Sequence, residues 1–479
     1  MITEVRGAPV ALPMGRPFVH AGTARATTAS VLVAVRAAGP EGLGAGAPRE
    51  YVTGESVAGA VRALRAIDPD RLNALIDVAD LDAALRALAS LDLPALVGGG
   101  GDGGGDGDGG DGEPMPAAAA ALELALFDLV CRVHGVPGAQ ALRRVPEVAD
   151  LLAERPGPVA VSYVLDMAKD PAATVAGLDP AALRSIRHVK LKATRNVDDC
   201  VARTRFVRET FDPTATVSID VNGDWDRATA VRAARALAPL GVAWLEEPVG
   251  QRDWPAMREV REAGGIPVML DESCCGPADL AQAAALGAAD LVNARVSKCG
   301  GLFPTLRLLR QARALGLGAQ LGVHVGEVGP LWAAARLLAC SLGRLATVEA
   351  GKQDEWFPTP LTEPPYHVDR RHYLAHPLPG PGLGVRPGPT LRQAVAEAAP
   401  RDAPYGSAYG SPYAGTQETA AGRAYGDAAA GEDTAAGGDA AATTAAAGSA
   451  AVPAPARDTA RTSQHTTATT HVNSTGDLS

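Results

Sequence analysis

Eight short apolar, β-branched runs recur through the middle of this 479-residue chain, each followed by an Ala-, Leu- and Arg-rich helical stretch. They are VAVSYVL (159–165), HVKLK (188–192), TVSID (216–220), VAWLE (242–246), PVMLD (267–271), LVNAR (291–295), GAQLGVHV (318–325) and ATVE (346–349). The run ends at 192 and 220 lie 28 residues apart, and the next steps, to 246, 271 and 295, are 26, 25 and 24. One strand, one helix and two short loops of a parallel sheet need about that length. Eight such units close into a (β/α)8 barrel, whose functional groups gather at the C-terminal ends of the strands. An open doubly wound sheet would be expected to carry a glycine fingerprint after its first strand, and none is present. The fold class is therefore α/β, a TIM-type barrel over residues 156–355.

The flanking sequence divides differently. Residues 1–155 read as α+β: SVLVAVRAA (30–38) is a strand followed by a Gly/Pro loop, while VAGAVRALRAI (57–67) and DLDAALRALASL (80–91) have helical periodicity. PAAAAALELALFDLVCRVHG (116–135) is a long apolar helix that ends at Gly135. Within this region GGGGDGGGDGDGGDG (98–112) has no side chain able to build a core and reads as a disordered insertion. Residues 356–397 form a C-terminal segment, and 398–479 a disordered low-complexity tail of Ala, Gly, Thr, Ser and Asp.

Three of the strand runs end in a carboxylate: Asp220, Glu246 and Asp271. A single terminal Asp is commonly a helix N-cap. Three at consecutive strand ends of one barrel mouth converge on a point, and hard oxygen ligands of this kind suit Mg2+, with Mn2+ as an alternative. Without a cation such carboxylates would repel one another, which makes a bound metal the economical explanation. Strand two ends Lys190-Leu191-Lys192, so alternation turns both lysines to the barrel interior. Two ammonium groups near a metal favour each other's deprotonation, as a lysine general base requires. His324 and Glu327 follow strand seven and Glu349 closes strand eight. His324 reads equally as a structural histidine or as a substrate or acid group, and Glu349 as a partner for Lys298 or a substrate contact.

The segments VKLK, SIDVNGDW, WLEEP, MLDES and NARVSKCGG together resemble the enolase superfamily, most closely its muconate lactonizing enzyme-like subgroup, over about residues 1–97 and 113–392. The resemblance implies that residues 1–155 and the C-terminal segment form a capping domain over the barrel. It implies Asp220, Glu246 and Asp271 as metal ligands, Lys192 as the base and Lys190 as the group that neutralises a substrate carboxylate. Asn222 and Glu247 fall behind them in supporting positions. The activity implied is removal of the proton alpha to a carboxylate to give a metal-stabilised enolate, followed by isomerisation, cycloisomerisation or β-elimination. A lysine base working beside Mg2+ is the general pattern of that superfamily. Epimerisation of a dipeptide or amino-acid derivative, or a metal-binding homologue without turnover, is the alternative. A Schiff base on Lys192 or Lys298 would need no carboxylate cage.

One position departs from the pattern. Where the subgroup has a second catalytic lysine at the end of strand six, this chain has Arg295, with Lys298 three residues on. Arginine stays protonated, so it is a poor base, and one-base chemistry is favoured unless Lys298 reaches in through a bulge. By resemblance, loops 13–22 and 46–56 of the capping domain, with Arg16, His20, Arg49 and Tyr51, would close over a small carboxylate substrate. Homo-oligomerisation is likewise implied by the resemblance alone.

The bulk numbers exclude other classes. A net charge of −10 gives no basic face for nucleic acid, and no apolar run reaches the length of a membrane span. The start, MITEVRGAPV, lacks a signal-peptide layout, and six cysteines show no CxxC spacing, so a cytoplasmic chain with reduced thiols is expected.

Overall fold

The computed structural model describes residues 1–20, 23–99, 114–167, 170–349 and 353–398. The glycine-rich insertion from residue 100 and the tail from residue 399 lie outside the described residues; Gly98 itself closes a helix, Leu93–Gly98. Eight parallel strands follow one another in spatial order: Tyr163–Leu165, His188–Lys192, Thr216–Asp220, Trp244–Glu246, Val268–Leu270, Leu291–Arg295, Gly318–Gly322 and Thr347–Val348. The ring closes where the Ser162 backbone N–H donates to the Val348 carbonyl at 2.8 Å. Strands two, three and six have the bounds expected from their sequence. Strand seven stops at Gly322, so His324 sits in a loop rather than on a strand.

The first run is not one strand. Val159–Ala160 pairs antiparallel with Leu374–Ala375 of the C-terminal segment, and the chain crosses to the barrel only at Tyr163. A uniform apolar run does not reveal that it changes sheets.

Strand alternation turns one parity of each strand inward. At the base this gives a hydroxyl and imidazole layer in place of the aliphatic filling typical of such barrels. His188 bonds Ser162 Oγ at 2.7 Å and Ser218 Oγ at 2.8 Å, with Thr347 Oγ1 at 3.1 Å. Its ring stacks on Trp244, the centroids 5.1 Å apart. Burial, and then the Lys190 charge above it, push His188 down to about 3, so it packs as a neutral ring. The next inward residue on the same strand is Lys190.

The N-terminal domain carries an antiparallel sheet ordered Ile2–Val10, Ser30–Ala37, Glu41–Gly46. The third strand, EGLGAG, corrects the Gly/Pro loop expected there. Its glycines are a docking surface: a Cβ on Gly46, Gly44 or Gly42 would lie 2.0, 1.9 or 2.1 Å from the carbonyl oxygens of Ala117, Ala121 and Ala125. Two strand residues span about 6.7 Å and four helical residues about 6 Å, so the i, i+2 glycines keep step with the i, i+4 alanines. That close approach is why the helix Pro116–Val133 is so rich in alanine, and it leaves every residue from Ala117 to Cys131 buried. Residues 13–22, expected as a loop, form a hairpin of Pro13–His20 with Thr23–Thr27; the side chains of Arg16 and His20 lie outside the described part.

The two domains are joined by polar contacts at the barrel mouth. Glu123 of the long helix accepts from the backbone N–H groups of Leu302 and Phe303, capping the helix Leu302–Ala314. Gly301 passes so close to Glu123 that a Cβ would overlap its carboxyl group. The Ala47 N–H donates to Ser297 Oγ at 2.8 Å. Arg49 donates to the Ala29 and Pro48 carbonyls at 2.7 Å and to the Val325 carbonyl at 3.0 Å, and Thr28 donates to the Gly326 carbonyl. Arg49 is thus a buried clamp between the domains. The helix Pro389–Ala396 returns the C-terminal segment to the N-terminal sheet. All six cysteines are unpaired, and no helix among the described residues is long and apolar enough to cross a membrane.

Gly44→Val should destabilise the protein by about 3 kcal/mol or more in urea unfolding, since neither backbone can yield to a buried side chain. A loss below about 1 kcal/mol would show that strand and helix separate freely. Burial pushes Glu123 up to about 8, against the pull of its two backbone donors. The folded chain therefore holds a proton that the unfolded chain has released, and this contribution to stability is full at low pH and lost as pH rises through about 8. Glu123→Gln should lose less stability than the parent chain between about pH 5 and 8; parallel pH profiles would overturn the assignment.

Candidate active site

Parallel registry sets the ends of strands two to four level, pairing Lys192 with Asp220 and Asp220 with Glu246. Asp271 follows strand five directly, and all three carboxylates are buried. Lys190 lies among three acids, with Nζ 2.9 Å from Asp220, 2.8 Å from Glu246 and 2.5 Å from Glu349. Lys192, at the rim, donates to Asp220 Oδ2 and Asn222 Oδ1, each at 2.7 Å. On the far side of the ring, Asp271 takes the guanidinium of Arg295 and, at 2.9 Å, the ammonium of Lys298. Lys298 also donates to the carbonyls of Asp271 at 2.6 Å and Asn293 at 2.8 Å.

Charge accounts for the proton affinities. Burial alone would raise Asp220, but Lys190 and Lys192 outweigh it and hold the carboxyl at about 2. Arg295 and Lys298 hold Asp271 lower still against the same burial. Burial, then the neighbouring Asp220, lift Glu246 well above the carboxylate range. Around Lys190 the carboxylates win over burial and raise it well above an ordinary lysine. This corrects the expectation that paired ammonium groups would make Lys190 easier to deprotonate: three acids surround it, and they outweigh burial and the opposing charge of Arg295.

Two residues behind the ligand-like acids adopt left-handed backbone, Asn222 at φ 51° and Glu247 at φ 39°. Such conformations in non-glycine residues cost of order 1 kcal/mol or more and persist where surrounding contacts enforce them. Asn222 joins Lys192 to Glu272, donating to the latter at 3.1 Å. Glu247 accepts from the backbone of Asp271 at 2.8 Å, from that of Ser273 at 3.3 Å, and from the Ser273 hydroxyl. It therefore fixes where Asp271 leaves its strand. Burial, then Glu272, push Glu247 up to about 8.

Several expectations change in detail. Glu349 meets Lys190 and the Val323 N–H, in place of Lys298. Lys298 is fully buried in the turn Val296–Cys299, where Asp271 Oδ1 and the carbonyls of Asp271 and Asn293 hold its ammonium. Arg295 is a paired, fixed charge. His324 and Glu327 are both buried in the loop after strand seven, where Glu327 accepts the His324 N–H at 2.7 Å. Tyr51 lies half-buried in a helical turn, and its carbonyl accepts from Gln251 at 2.7 Å.

Four further residues at the mouth, Asn293, Gln320, Gly322 and Glu272, were not singled out from sequence. The Asn293 amide bridges Glu246 at 2.9 Å and Asp271 at 3.3 Å, and Gln320 reaches Glu246 and Glu349 at 3.4 Å. A Cβ on Gly322 would lie 2.2 Å from Asn293 Oδ1 and 2.8 Å from Glu349 Oε2, so only glycine fits that inward position. A signal was available: Asn293 and Gln320 share the inward parity of Arg295 and Gly322.

The donor set can be tested against a divalent cation. Asp220, Glu246 and Asp271 supply only hard oxygens at neighbouring strand ends, and each is already in contact with positive charge. The chemistry fits such an ion. Among the described residues no group of three His, Cys, Asp or Glu side chains is converged into a ready cage, because the lysine and arginine heads are engaged with these oxygens. Mutual repulsion therefore does not by itself demand a metal, contrary to the expectation from sequence, since four side-chain cations already offset it.

The profile of the family described as "Enolase C-terminal domain-like" matches residues 173–390. L-Lys-D/L-Arg epimerase of Methylococcus capsulatus is 30% identical over 316 residues, which span 65% of this chain and 79% of that enzyme. N-succinyl-L-Arg/Lys racemase of Bacillus cereus is 33% identical over 166 residues, or 34% of this chain, and the aligned stretch spans 45% of the racemase, less than two thirds of its length. The crystal structure of muconate lactonizing enzyme from Pseudomonas fluorescens, complexed with muconolactone, superposes with a TM-score of 0.65 at 24% identity, over 83% of this chain and 98% of that one, which shows a shared fold. The chain belongs to the enolase superfamily, among its muconate lactonizing enzyme-like members.

Removing one partner of a buried ion pair commonly costs about 3–5 kcal/mol. Arg295→Leu should therefore lower unfolding stability by about 3 kcal/mol, and an unchanged urea midpoint would show that Lys298 alone suffices for Asp271.

Proposed function

We propose that this protein is an enzyme that removes the proton alpha to the carboxylate of a small acid, with Lys192 as the base and Lys190 as the fixed positive charge beside the developing enolate. The observation that carries this reading is the division of labour on strand two. Lys190 is 1% exposed and locked among three acids, while Lys192 is 8% exposed at the rim with two partners. Of the two, Lys192 stands where a bound substrate can reach it. Asp220, Glu246 and Asp271 are the residues that would hold Mg2+, with Glu247 and Asn222 supporting them. The ion would supply Lewis-acid charge beside the substrate carboxylate.

The face opposite Lys192 belongs to strand six, four places round a ring of eight. Its positive groups, Arg295 and Lys298, are both committed to Asp271. A guanidinium keeps its proton, so this face lends charge and no base. That favours a one-base outcome, isomerisation or elimination, over epimerisation. The second reading, epimerisation, is favoured by the relatives, since the Methylococcus capsulatus enzyme is an epimerase; in this chain it would need a different group, such as His324 on the loop after strand seven.

The test is proton exchange in D2O with a panel of carboxylic acids, followed by NMR with Mg2+ and with EDTA. Metal-dependent exchange at the alpha carbon with retained configuration is expected. Lys192→Ala should slow it by at least about 100-fold, the usual effect of removing one preorganised catalytic group. Exchange that scrambles configuration would establish the epimerase reading, and an unchanged rate in Lys192→Ala would remove that lysine as the base. Absence of exchange with every acid, despite measured Mg2+ binding, would make the protein a non-catalytic homologue.

A further inference from the structure

Glu327 does not fit the chemistry just described. It stands on the loop after strand seven, 1% exposed, with Oε1 accepting the His324 N–H and Oε2 buried without a hydrogen-bond partner. A buried polar atom left unpaired costs about 1–3 kcal/mol, which a fold would be expected to avoid unless something supplies the partner. Burial pushes Glu327 up to about 8; Arg295 of strand six and Arg49 of the N-terminal domain pull it down, Glu349 at the end of strand eight pushes it up, and His324 Nδ1 lies 3.6 Å away. At neutral pH the group is a carboxylic acid with one O–H to donate.

That acid lines a cavity of about 170 Å3. Its other walls come from Trp332, on the helix that follows the loop, and from the C-terminal segment, with Phe357, Leu361 and Tyr366 as the apolar faces and Thr359 exposed at the mouth. Trp332 and Tyr366 meet edge to face with centroids 4.6 Å apart, and the Arg336 guanidinium backs the Tyr366 ring at 4.7 Å, so the aromatic wall is braced from behind. An apolar cavity of about 150 Å3 is known to stay dry and accept a benzene ring. Walls of this kind with a few placed polar groups are the ordinary make-up of small-molecule sites.

We infer that this cavity is a binding subsite for one aryl ring or an aliphatic group of equal bulk that carries a hydrogen-bond acceptor, with Glu327 donating to that acceptor. Resting on the function proposed above, the occupant is the distal part of the acid substrate, and the C-terminal segment selects for it. The sequence explains the construction: FPTPLTEPP (357–365) contributes four prolines that restrict the backbone of this wall, and Thr362–Glu363 pairs antiparallel with Arg386–Pro387.

The probe is benzamide, which has the ring and the acceptor, followed on the full chain by saturation-transfer NMR. This reading needs no turnover, so it stands or falls separately from the exchange experiment. Saturable binding is expected. Thr359→Trp, which plugs the exposed mouth and leaves the core alone, should weaken it at least about tenfold, or about 1.4 kcal/mol. Glu327→Leu should do the same, and Glu327→Gln, which keeps an N–H donor, should stay within about threefold of the parent. Lys192→Ala should leave benzamide binding as it was. The subsite is overturned if benzamide does not bind, if binding survives Thr359→Trp, or if Lys192→Ala abolishes it and so places the probe in the main site. Once an acid substrate is known, the kcat/KM ratio of aryl to methyl analogues should fall at least about tenfold in Thr359→Trp; an unchanged ratio would separate the cavity from substrate choice.

Discussion

Buried charge has to be paired, and the mouth of this barrel is arranged around that requirement. Asp220, Glu246, Asp271 and Glu349 bring four acidic side chains into a space almost closed to solvent, and Lys190, Lys192, Arg295 and Lys298 bring four basic ones. An isolated charge at such depth would be neutralised by a shifted pKa. Pairing keeps Asp220 and Asp271 ionised, and it keeps Lys190 an ammonium. The supporting features follow from holding these heads in register. Asn293 and Gln320 share out the carboxylate oxygens, Glu247 fixes the exit of Asp271, and two backbone positions accept left-handed geometry to do so.

The same requirement explains how the N-terminal domain is attached. Among its contacts with the barrel are hydrogen bonds at the mouth: Glu123 to the turn after Lys298, Ala47 to Ser297, Arg49 and Thr28 to the loop that carries His324 and Glu327. Each tethers a segment next to a charged group. A mobile Val296–Gly301 turn would free Lys298 from Asp271 and leave a buried carboxylate half-paired, which is costly. The glycine ladder of Glu41–Gly46 against the alanines of the long helix holds Glu123 at the height where it can act as that cap.

The barrel was legible because two independent periods coincide, one βα unit every 24–28 residues and alternation within each strand. Residues at strand ends were legible for the same reason: Lys192, Asp220 and Glu246 stand level at the mouth, with Lys190 one inward position below. What failed was information that lies between elements. No local pattern says that VAVSYVL crosses from one sheet to another at residue 162, or that EGLGAG is a strand whose side chains are missing so that a helix can touch its backbone. Nor does a sequence say which acid each lysine takes: Glu349 went to Lys190 because strands eight and two flank strand one across the closure of the ring.

Arg295 shows why pairing partners decide chemistry. A lysine at that position would be a compact charge able to lose its proton if its carboxylate turned to another cation. The arginine cannot lose one, and one of its terminal nitrogens pairs with Asp271, which also holds Lys298. The strand-six side of the mouth is thereby a store of positive charge bound to one of the three strand-end acids, while the strand-two side keeps a lysine at the rim. Enolate formation needs the second feature and the accumulated positive charge of both. The fate of the enolate depends on what delivers a proton from the strand-six side, where Arg295 and Lys298 are both held by Asp271.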